Sequence, residues 1–172
     1  MINNPPALAL NLGIQPGGIY RTNDVFEEVP AKSGQWIYVG RRDQMLIHSM
    51  GLNTNPVSWE NALRPLDIVE ECQLVGHSRR GPLLLVELDW SKVQDEQKAC
   101  ERVWQAVEEI NNTVMAWSRV QHREVMVILP RGAKLERSDK ETVKRGVNIK
   151  KFEKEIDQAY GRWDEVAPVS KA

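Results

Sequence analysis

The chain has 172 residues, enough for one domain with a sizeable apolar core. Hydrophobic residues make up 41% and charged residues 27%, as in ordinary soluble globular proteins. The formal charge of −1 argues against bulk attraction to nucleic acid or to an anionic membrane. No apolar run approaches the ~18 residues of a membrane span. We therefore expect a cytoplasmic protein whose two cysteines, Cys72 and Cys100, are reduced.

The first part of the chain predicts strands that are separated by turns. Asn, Pro and Gly residues flank a short apolar segment at 7–12, which is predicted as one strand. Trp36 to Val39 is predicted as another strand, and the sequence Gly40-Arg41-Arg42-Asp43 ends it. Residues 45–50 are predicted as the strand that follows.

The rest of the chain alternates between helices and strands. Asn55-Pro56 predicts a helix start, because Asn caps the first turn and Pro is tolerated there, and the helix should run to Leu63. The spacing of apolar residues and the positions of turn residues predict the remaining strands and helices. The strands are 69–76, 83–88 and 124–129, and the helices are 94–114 and 152–163. The predicted fold class is α+β: a two-layer sandwich of a roughly three-stranded sheet with flanking helices, preceded by a small two-stranded β element.

The segment from Arg131 to Lys151, predicted as a loop to about residue 147, is basic in a nearly neutral chain. It has eight basic and three acidic residues, a net charge of +5. A solvated surface loop explains this composition. A phosphate or nucleic-acid patch is a second interpretation, although no aromatic residue is present for base stacking. A third interpretation is a single positioned ammonium, Lys140, that meets negative charge developing in a transition state.

Four motifs between Gly18 and Trp163 together resemble the C-terminal lobe of adenylate-forming enzymes. The resemblance is greatest to fungal adenylation–thiolation–reductase proteins related to nonribosomal peptide synthetases. The motifs are Tyr20-Arg21-Thr22-Asn23-Asp24, the segment 36–43, the segment 49–56 with Glu60, and Pro130 followed by Ser138-Asp139-Lys140-Glu141-Thr142 and Arg145.

The resemblance implies a role for five residues. Lys140 matches the catalytic lysine, which in the family bridges the carboxylate and the α-phosphate during adenylate formation. Asp43 matches the hinge residue between two lobes. Asp24 and Arg41 match nucleotide-binding residues near the ribose, and Gly51 matches a position beside the pantetheine tunnel. No metal ligand is predicted on this chain.

The resemblance also implies the organisation of the whole enzyme. Residues 1–40 would be the tail end of a large adenylation lobe, 41–164 the C-terminal adenylation subdomain, and 165–172 a linker or tail. ATP and Mg²⁺, bound mainly by the large lobe, would activate a carboxylic acid to an acyl-adenylate. A phosphopantetheinyl carrier domain would then receive the acyl group, with coenzyme A as the acceptor left open. The subdomain would be inactive alone, and nucleic acid and membrane are not expected partners.

Two positions depart from the family pattern, since Asn23 and Glu141 stand where the family has glycine. Asn tolerates a left-handed backbone better than most residues, whereas Glu141 could pair with Lys140 and replaces a permissive backbone position. These departures support an alternative function, that of a degenerate, non-catalytic lobe used for docking or regulation.

Overall fold

The computed structural model describes residues 22–167, except for the side chains of Val39 and Asp43, and the chain divides into two compact units. The first unit ends at Asp43 and the second begins at Gln44. The strand predicted at 7–12 lies outside the described residues, as do Tyr20 and Arg21 of the first motif.

The first unit contains the predicted two-stranded β element. Strands β1 (Asp24–Glu28) and β2 (Trp36–Arg41) are antiparallel, and their register places Asp24 opposite Arg41. The rings of Phe26 and Tyr38 pack edge to face across the pair, with centroids 5.6 Å apart. A 3₁₀ helix, Arg42–Gln44, follows β2, so the chain turns where the sequence predicts a break.

The second unit begins with a short hairpin and a helix. Strands β3 (Leu46–Ile47) and β4 (Asn53–Thr54) pair antiparallel, and helix α1 (Pro56–Leu63) follows. The Asn55 side chain accepts the Val57 N–H at 3.1 Å, which confirms the predicted cap. Strand β3 is shorter than the predicted 45–50, because the chain turns after Ile47.

A three-stranded sheet forms the centre of this unit. Strands β5 (Val69–Val75) and β6 (Leu83–Leu88) are antiparallel, and β7 (Met126–Ile128) lies parallel to β6. A parallel pair needs a long crossover connection, and helix α2 (Glu96–Asn111) provides it. The predicted α+β class, with a three-stranded sheet and flanking helices, is confirmed.

Two helices end the described chain, namely α3 (Arg145–Lys151) and α4 (Glu153–Val166). Helix α3 corrects the sequence prediction, which extended the basic loop to about residue 147. Its only buried residue is Asn148, so the helix lacks the apolar stripe by which helices are predicted. Hydrogen bonds fix it instead: the Asn148 side chain donates to Gln73 at 2.9 Å and accepts the Glu136 N–H at 2.7 Å.

Helical segments contact both faces of the sheet. Consecutive strand residues point to opposite faces. The Cys72 thiol faces the Glu60 carbonyl of α1, whereas the next side chain, Gln73, bonds Asn148 of α3. Burial raises the pKa of the Cys72 thiol, which keeps it protonated and unreactive.

Candidate functional site

Residues 137–145, hereafter the Lys140 loop, form a closed hairpin-like turn. Arg137 and Val143 pair as an antiparallel β-bridge at its base. The Ser138 N–H donates to the Thr142 carbonyl at 2.8 Å, and the Glu141 N–H donates to the Ser138 carbonyl at 2.9 Å. Lys140 lies near the tip and is exposed, and no hydrogen bond or ion pair joins its ammonium to another residue between 22 and 167. The ammonium is therefore accessible to an external anion.

The Glu141 carboxylate forms no ion pair with the Lys140 ammonium. It lies 3.6 Å from the Arg137 guanidinium, so Glu141 pairs with Arg137 rather than with Lys140, the pairing that the sequence left possible. The backbone φ of Glu141 is +57°, and that of Asn23 is +66°. Both residues therefore adopt the left-handed conformation that glycine adopts easily.

A buried ion pair anchors the end of the Lys140 loop. Arg145 donates to both carboxylate oxygens of Glu60, at 2.7 and 2.5 Å, and Glu60 is fully buried. The same carboxylate accepts the Leu74 N–H at 2.7 Å, and Arg145 donates to the Leu74 carbonyl at 3.5 Å. The pair therefore satisfies both backbone groups of Leu74 on the free edge of β5. Burial raises the pKa of Glu60, and the hydrogen bonds from Arg145 and Leu74 oppose that shift.

The start of the Lys140 loop is anchored by a second guanidinium. Arg137 lies 3.4 Å from Glu87, 3.9 Å from Glu71 and 3.6 Å from Glu70. Glu71 and Glu87 are buried and face each other across β5 and β6. Glu87 also accepts the Leu135 N–H at 2.8 Å, which fixes the chain just before the loop.

A cleft of about 420 Å³ lies beside these anchors. Its charged groups are largely paired with one another, since Arg145 bonds Glu60 and Arg64 bonds Glu71 at 2.9 Å. The cleft is lined by Gln44, Val57, Glu60, Arg64, Glu71, Glu141, Thr142, Val143 and Arg145.

The two predicted nucleotide-binding residues are neighbours in the first unit. The Asp24 carboxylate and the Arg41 guanidinium lie 3.9 Å apart across the strand pair, and both side chains are partly exposed. The Asn23 carbonyl accepts the Arg42 N–H at 2.7 Å, which extends the pairing of the two strands by one hydrogen bond beside them. The predicted hinge residue, Asp43, is the last residue of the first unit.

Gly51 lies in the turn between β3 and β4 with φ +77°, and a Cβ there would meet no heavy atom of the described part of the chain within 4 Å. Buried His48 fixes this hairpin. Its Nδ1 lies 3.1 Å from the Gly76 carbonyl and its Nε2 lies 2.7 Å from the Thr54 hydroxyl. A carbonyl can only accept, so Nδ1 carries the proton and Nε2 accepts from Thr54. The Thr54 hydroxyl in turn contacts Ser118 at 2.7 Å.

Residues 43–164 match the family model described as the AMP-binding enzyme C-terminal domain. The chain belongs to this family.

This AMP-binding C-terminal domain also resembles individual proteins. It is 32% identical over 158 residues to the adenylate-forming reductase Nps11 of Serpula lacrymans var. lacrymans, covering 88% of this chain and 14% of the relative. The A domain of carboxylic acid reductase from Segniliparus rugosus, solved with AMP and a co-purified carboxylic acid, has a TM-score of 0.68 and 19% identity, covering 92% of this chain and 26% of that one. The A-PCP didomain of the same reductase, solved with AMP, has a TM-score of 0.57 and 20% identity, covering 88% and 22%.

The chain thus spans about a seventh of the length of the first relative. The likeness to the solved structures shows the fold, and the relative and the family model confirm the predicted resemblance to fungal adenylate-forming proteins.

Sequence reasoning missed the anchors of this AMP-binding C-terminal domain. Glu60 and Arg145 were both parts of the recognised motifs, yet nothing in the sequence paired them. Arg137 is only a basic residue of the run around Lys140, and Glu71 and Glu87 belong to no motif. A buried glutamate in a strand such as β6, which is otherwise Leu and Val, is the one local signal that a positive partner must lie nearby.

Two further findings concern metals and membranes. Within residues 22–167, no cluster of three or more His, Cys, Asp or Glu side chains could hold a metal ion. None of the helices described for this AMP-binding C-terminal domain has both the length and the apolar character that crossing a bilayer requires.

Cys72 and Cys100 are both free thiols.

Proposed function

We propose that this AMP-binding C-terminal domain supplies Lys140 to an adenylation reaction whose other substrates bind on a large N-terminal lobe. The observation that carries the proposal is an exposed ammonium, unpaired within residues 22–167, near the tip of a loop whose two ends are anchored. Adenylate formation depends mainly on charge stabilisation and orientation of the reacting groups. A lysine presented in this way would bridge the carboxylic acid and the α-phosphate of ATP as negative charge develops between them.

The nucleotide would be held partly by the first unit. The Asp24 carboxylate offers acceptors to two neighbouring ribose hydroxyls, and Arg41, 3.9 Å away, would donate beside it. The partial exposure of both side chains supports this assignment. ATP and Mg²⁺ would be bound mainly by the large lobe, since the described part of the chain offers no cluster of metal ligands.

The second half of the reaction would transfer the acyl group to the thiol of a carrier domain. We assign Asp43 as the hinge that exchanges the two poses, and its place at the end of the first unit supports this. Gly51 would border the pantetheine arm, and the open space around it would leave room. An A-PCP didomain among the structural neighbours supports a carrier as partner. The subdomain would need its large lobe for activity.

The domain limits and the compartment follow from the same proposal. Residues 1–40 would complete the large lobe, 41–164 would form the mobile subdomain, and 165–172 would be a linker or tail. We place the protein in the cytoplasm, where ATP and reduced thiols are available.

The direct test is a chimera in which this chain replaces the matching lobe of the Serpula lacrymans reductase. ATP–pyrophosphate exchange is measured with the acid that the parent enzyme activates. We expect exchange within about tenfold of the parent rate, because the catalytic lysine is supplied by the replaced lobe. Exchange no faster than that of the parent's isolated large lobe, from a chimera that unfolds cooperatively, would contradict the proposal.

The second candidate function is the degenerate docking lobe, which Asn23 and Glu141 motivated. Both residues keep the left-handed backbone, and Glu141 pairs with Arg137 rather than with Lys140. These two observations favour the catalytic function. Undetectable exchange that Glu141→Gly restores would favour degeneration instead.

A further inference from the structure

The Lys140 loop has few contacts of its own that could fix its position. Residues 139–142 are all exposed, and the loop is closed chiefly by backbone hydrogen bonds. Such a loop, if attached only by its chain ends, would place the lysine ammonium over a range of positions. The groups that attach it to the sheet are therefore the groups that decide where the ammonium lies.

The attachment at the end of the loop is the Arg145 anchor. Its guanidinium makes two parallel hydrogen bonds to Glu60, whose carboxylate is itself held by the Leu74 N–H. The Arg145 carbonyl also accepts from the Gln73 side chain at 3.3 Å. A planar fork on a fixed carboxylate restricts rotation as well as distance, which a lysine ammonium cannot do.

The attachment at the start of the loop is the Arg137 anchor. It lies among three strand carboxylates, of which Glu71 and Glu87 are buried. Arg137 also pairs with Glu141 inside the loop, at 3.6 Å. One guanidinium thus connects the sheet to the residue that follows Lys140.

We propose that Arg137 and Arg145 are positioning residues for Lys140, holding both ends of its loop on buried carboxylates so that the ammonium is presented in one place. The inference rests on the proposed function, because it concerns the same lysine. A misplacement of about 1 Å can cost on the order of 100-fold in rate, so anchors far from the reacting atoms can have large kinetic effects.

The test compares two reactions of the chimera. Pyrophosphate exchange needs Lys140, whereas transfer from a chemically supplied acyl-adenylate to the carrier thiol does not. For Arg145→Gln we expect exchange to fall by about 10- to 100-fold, while transfer stays within about twofold of wild type. In a Lys140→Ala background, Arg145→Gln should cause little further loss of exchange, because both changes remove one function.

Two more variants test whether a loss of exchange arises only because the protein is destabilised. Arg145→Lys keeps the charge but loses the fork, so it should fold and still lose about tenfold in exchange. Arg123→Gln is the matched control, since Arg123 also makes two hydrogen bonds to one carboxylate, that of Glu101 on the exposed surface, at 2.7 and 2.8 Å. It should leave both reactions unchanged.

The outcomes separate the two proposals. Equal losses of exchange and transfer in the Arg145 variants, or wild-type exchange in Arg145→Lys, would overturn the positioning role while leaving Lys140 as the catalytic group. If Lys140→Ala shows wild-type exchange, the proposed function is overturned, and with it the positioning role that rests on it. Selective loss of exchange in both Arg145 variants supports the positioning role.

Discussion

Glu60 and Arg145 lie 85 residues apart in the chain and form a buried, doubly hydrogen-bonded ion pair at the foot of the Lys140 loop. Glu60 belongs to α1 and Arg145 begins α3, so the pair joins two helices across the free edge of β5. It also satisfies the Leu74 N–H and carbonyl, which would otherwise be unpaired on that edge. The pair therefore serves the sheet and the loop at once.

Breaking this pair should destabilise the fold strongly. Glu60→Ala leaves the Arg145 guanidinium without its counter-charge and the Leu74 N–H without an acceptor. We expect a loss of about 3 to 4 kcal/mol in the free energy of unfolding. Denaturant unfolding of the chain measures it. Glu101→Ala, which breaks the exposed pair with Arg123, should have no measurable effect. A loss from Glu60→Ala below about 1 kcal/mol would show that the buried pair is not structural.

Glu141→Gly should stabilise the chain slightly. The left-handed backbone at Glu141 costs about 1 to 2 kcal/mol for a residue with a side chain. The greater chain entropy of glycine and the loss of the exposed ion pair with Arg137 offset part of the relief. We expect a net gain of about 0.5 kcal/mol, measured as a rise in Tm. Asp139→Gly is the control in the same loop, because Asp139 has no positive φ, and it should destabilise. A lower Tm for Glu141→Gly would contradict the assigned backbone conformation.

Acid should weaken the fold through His48. Burial lowers the pKa of this imidazole below its ordinary value of 6.5, so the unfolded chain binds a proton that the folded chain resists. The stabilising contribution is complete above about pH 6.5 and is lost as the pH falls through the lower folded pKa. Urea unfolding at pH 7.5 and 5.5 measures the change. His48→Gln should show a smaller drop between these two values, and an equal drop would exclude His48 as the titrating group.

Gly51→Ala should slow acyl transfer and leave exchange unchanged, whereas the Arg145 variants should slow exchange and leave transfer unchanged. The added methyl would meet no heavy atom of residues 22–167 within 4 Å, and Gly132→Ala shares the strain of a positive φ, so an effect specific to Gly51 should arise only when a pantetheine arm passes. We expect acyl transfer to the carrier to fall by about tenfold, with exchange unchanged. Gly132→Ala is the matched control, since Gly132 also has positive φ and open space around it. If Gly51→Ala and Gly132→Ala slow acyl transfer equally, backbone strain rather than contact with the pantetheine arm causes the loss.

Much of the fold follows from local patterns in the sequence. Helix α2 has apolar residues on one face, and α1 begins at Asn55-Pro56, so both are predictable without a tertiary structure. Helix α3 is not, because its single buried residue, Asn148, is polar and is stabilised by hydrogen bonds to distant residues. Tertiary contacts, rather than periodicity, decide such a helix.

The candidate site was predicted only as separate residues. Resemblance assigned Lys140, Asp24, Arg41, Asp43 and Gly51, and the structure adds what surrounds them. The anchors could not be predicted, since a helix glutamate and a loop arginine are usually exposed. Nothing in the sequence pairs residues 60 and 145. Only the folded sheet brings them together, because both bond the backbone of Leu74 at its edge.

The most direct measurement is exchange by Lys140→Ala in the chimera, beside transfer from a supplied acyl-adenylate. We expect exchange to fall several hundredfold, about what the loss of one transition-state donor costs, with transfer within about twofold of wild type. Lys150→Ala, which removes another exposed lysine of the basic segment, should leave both rates unchanged. Wild-type exchange by Lys140→Ala would contradict the account.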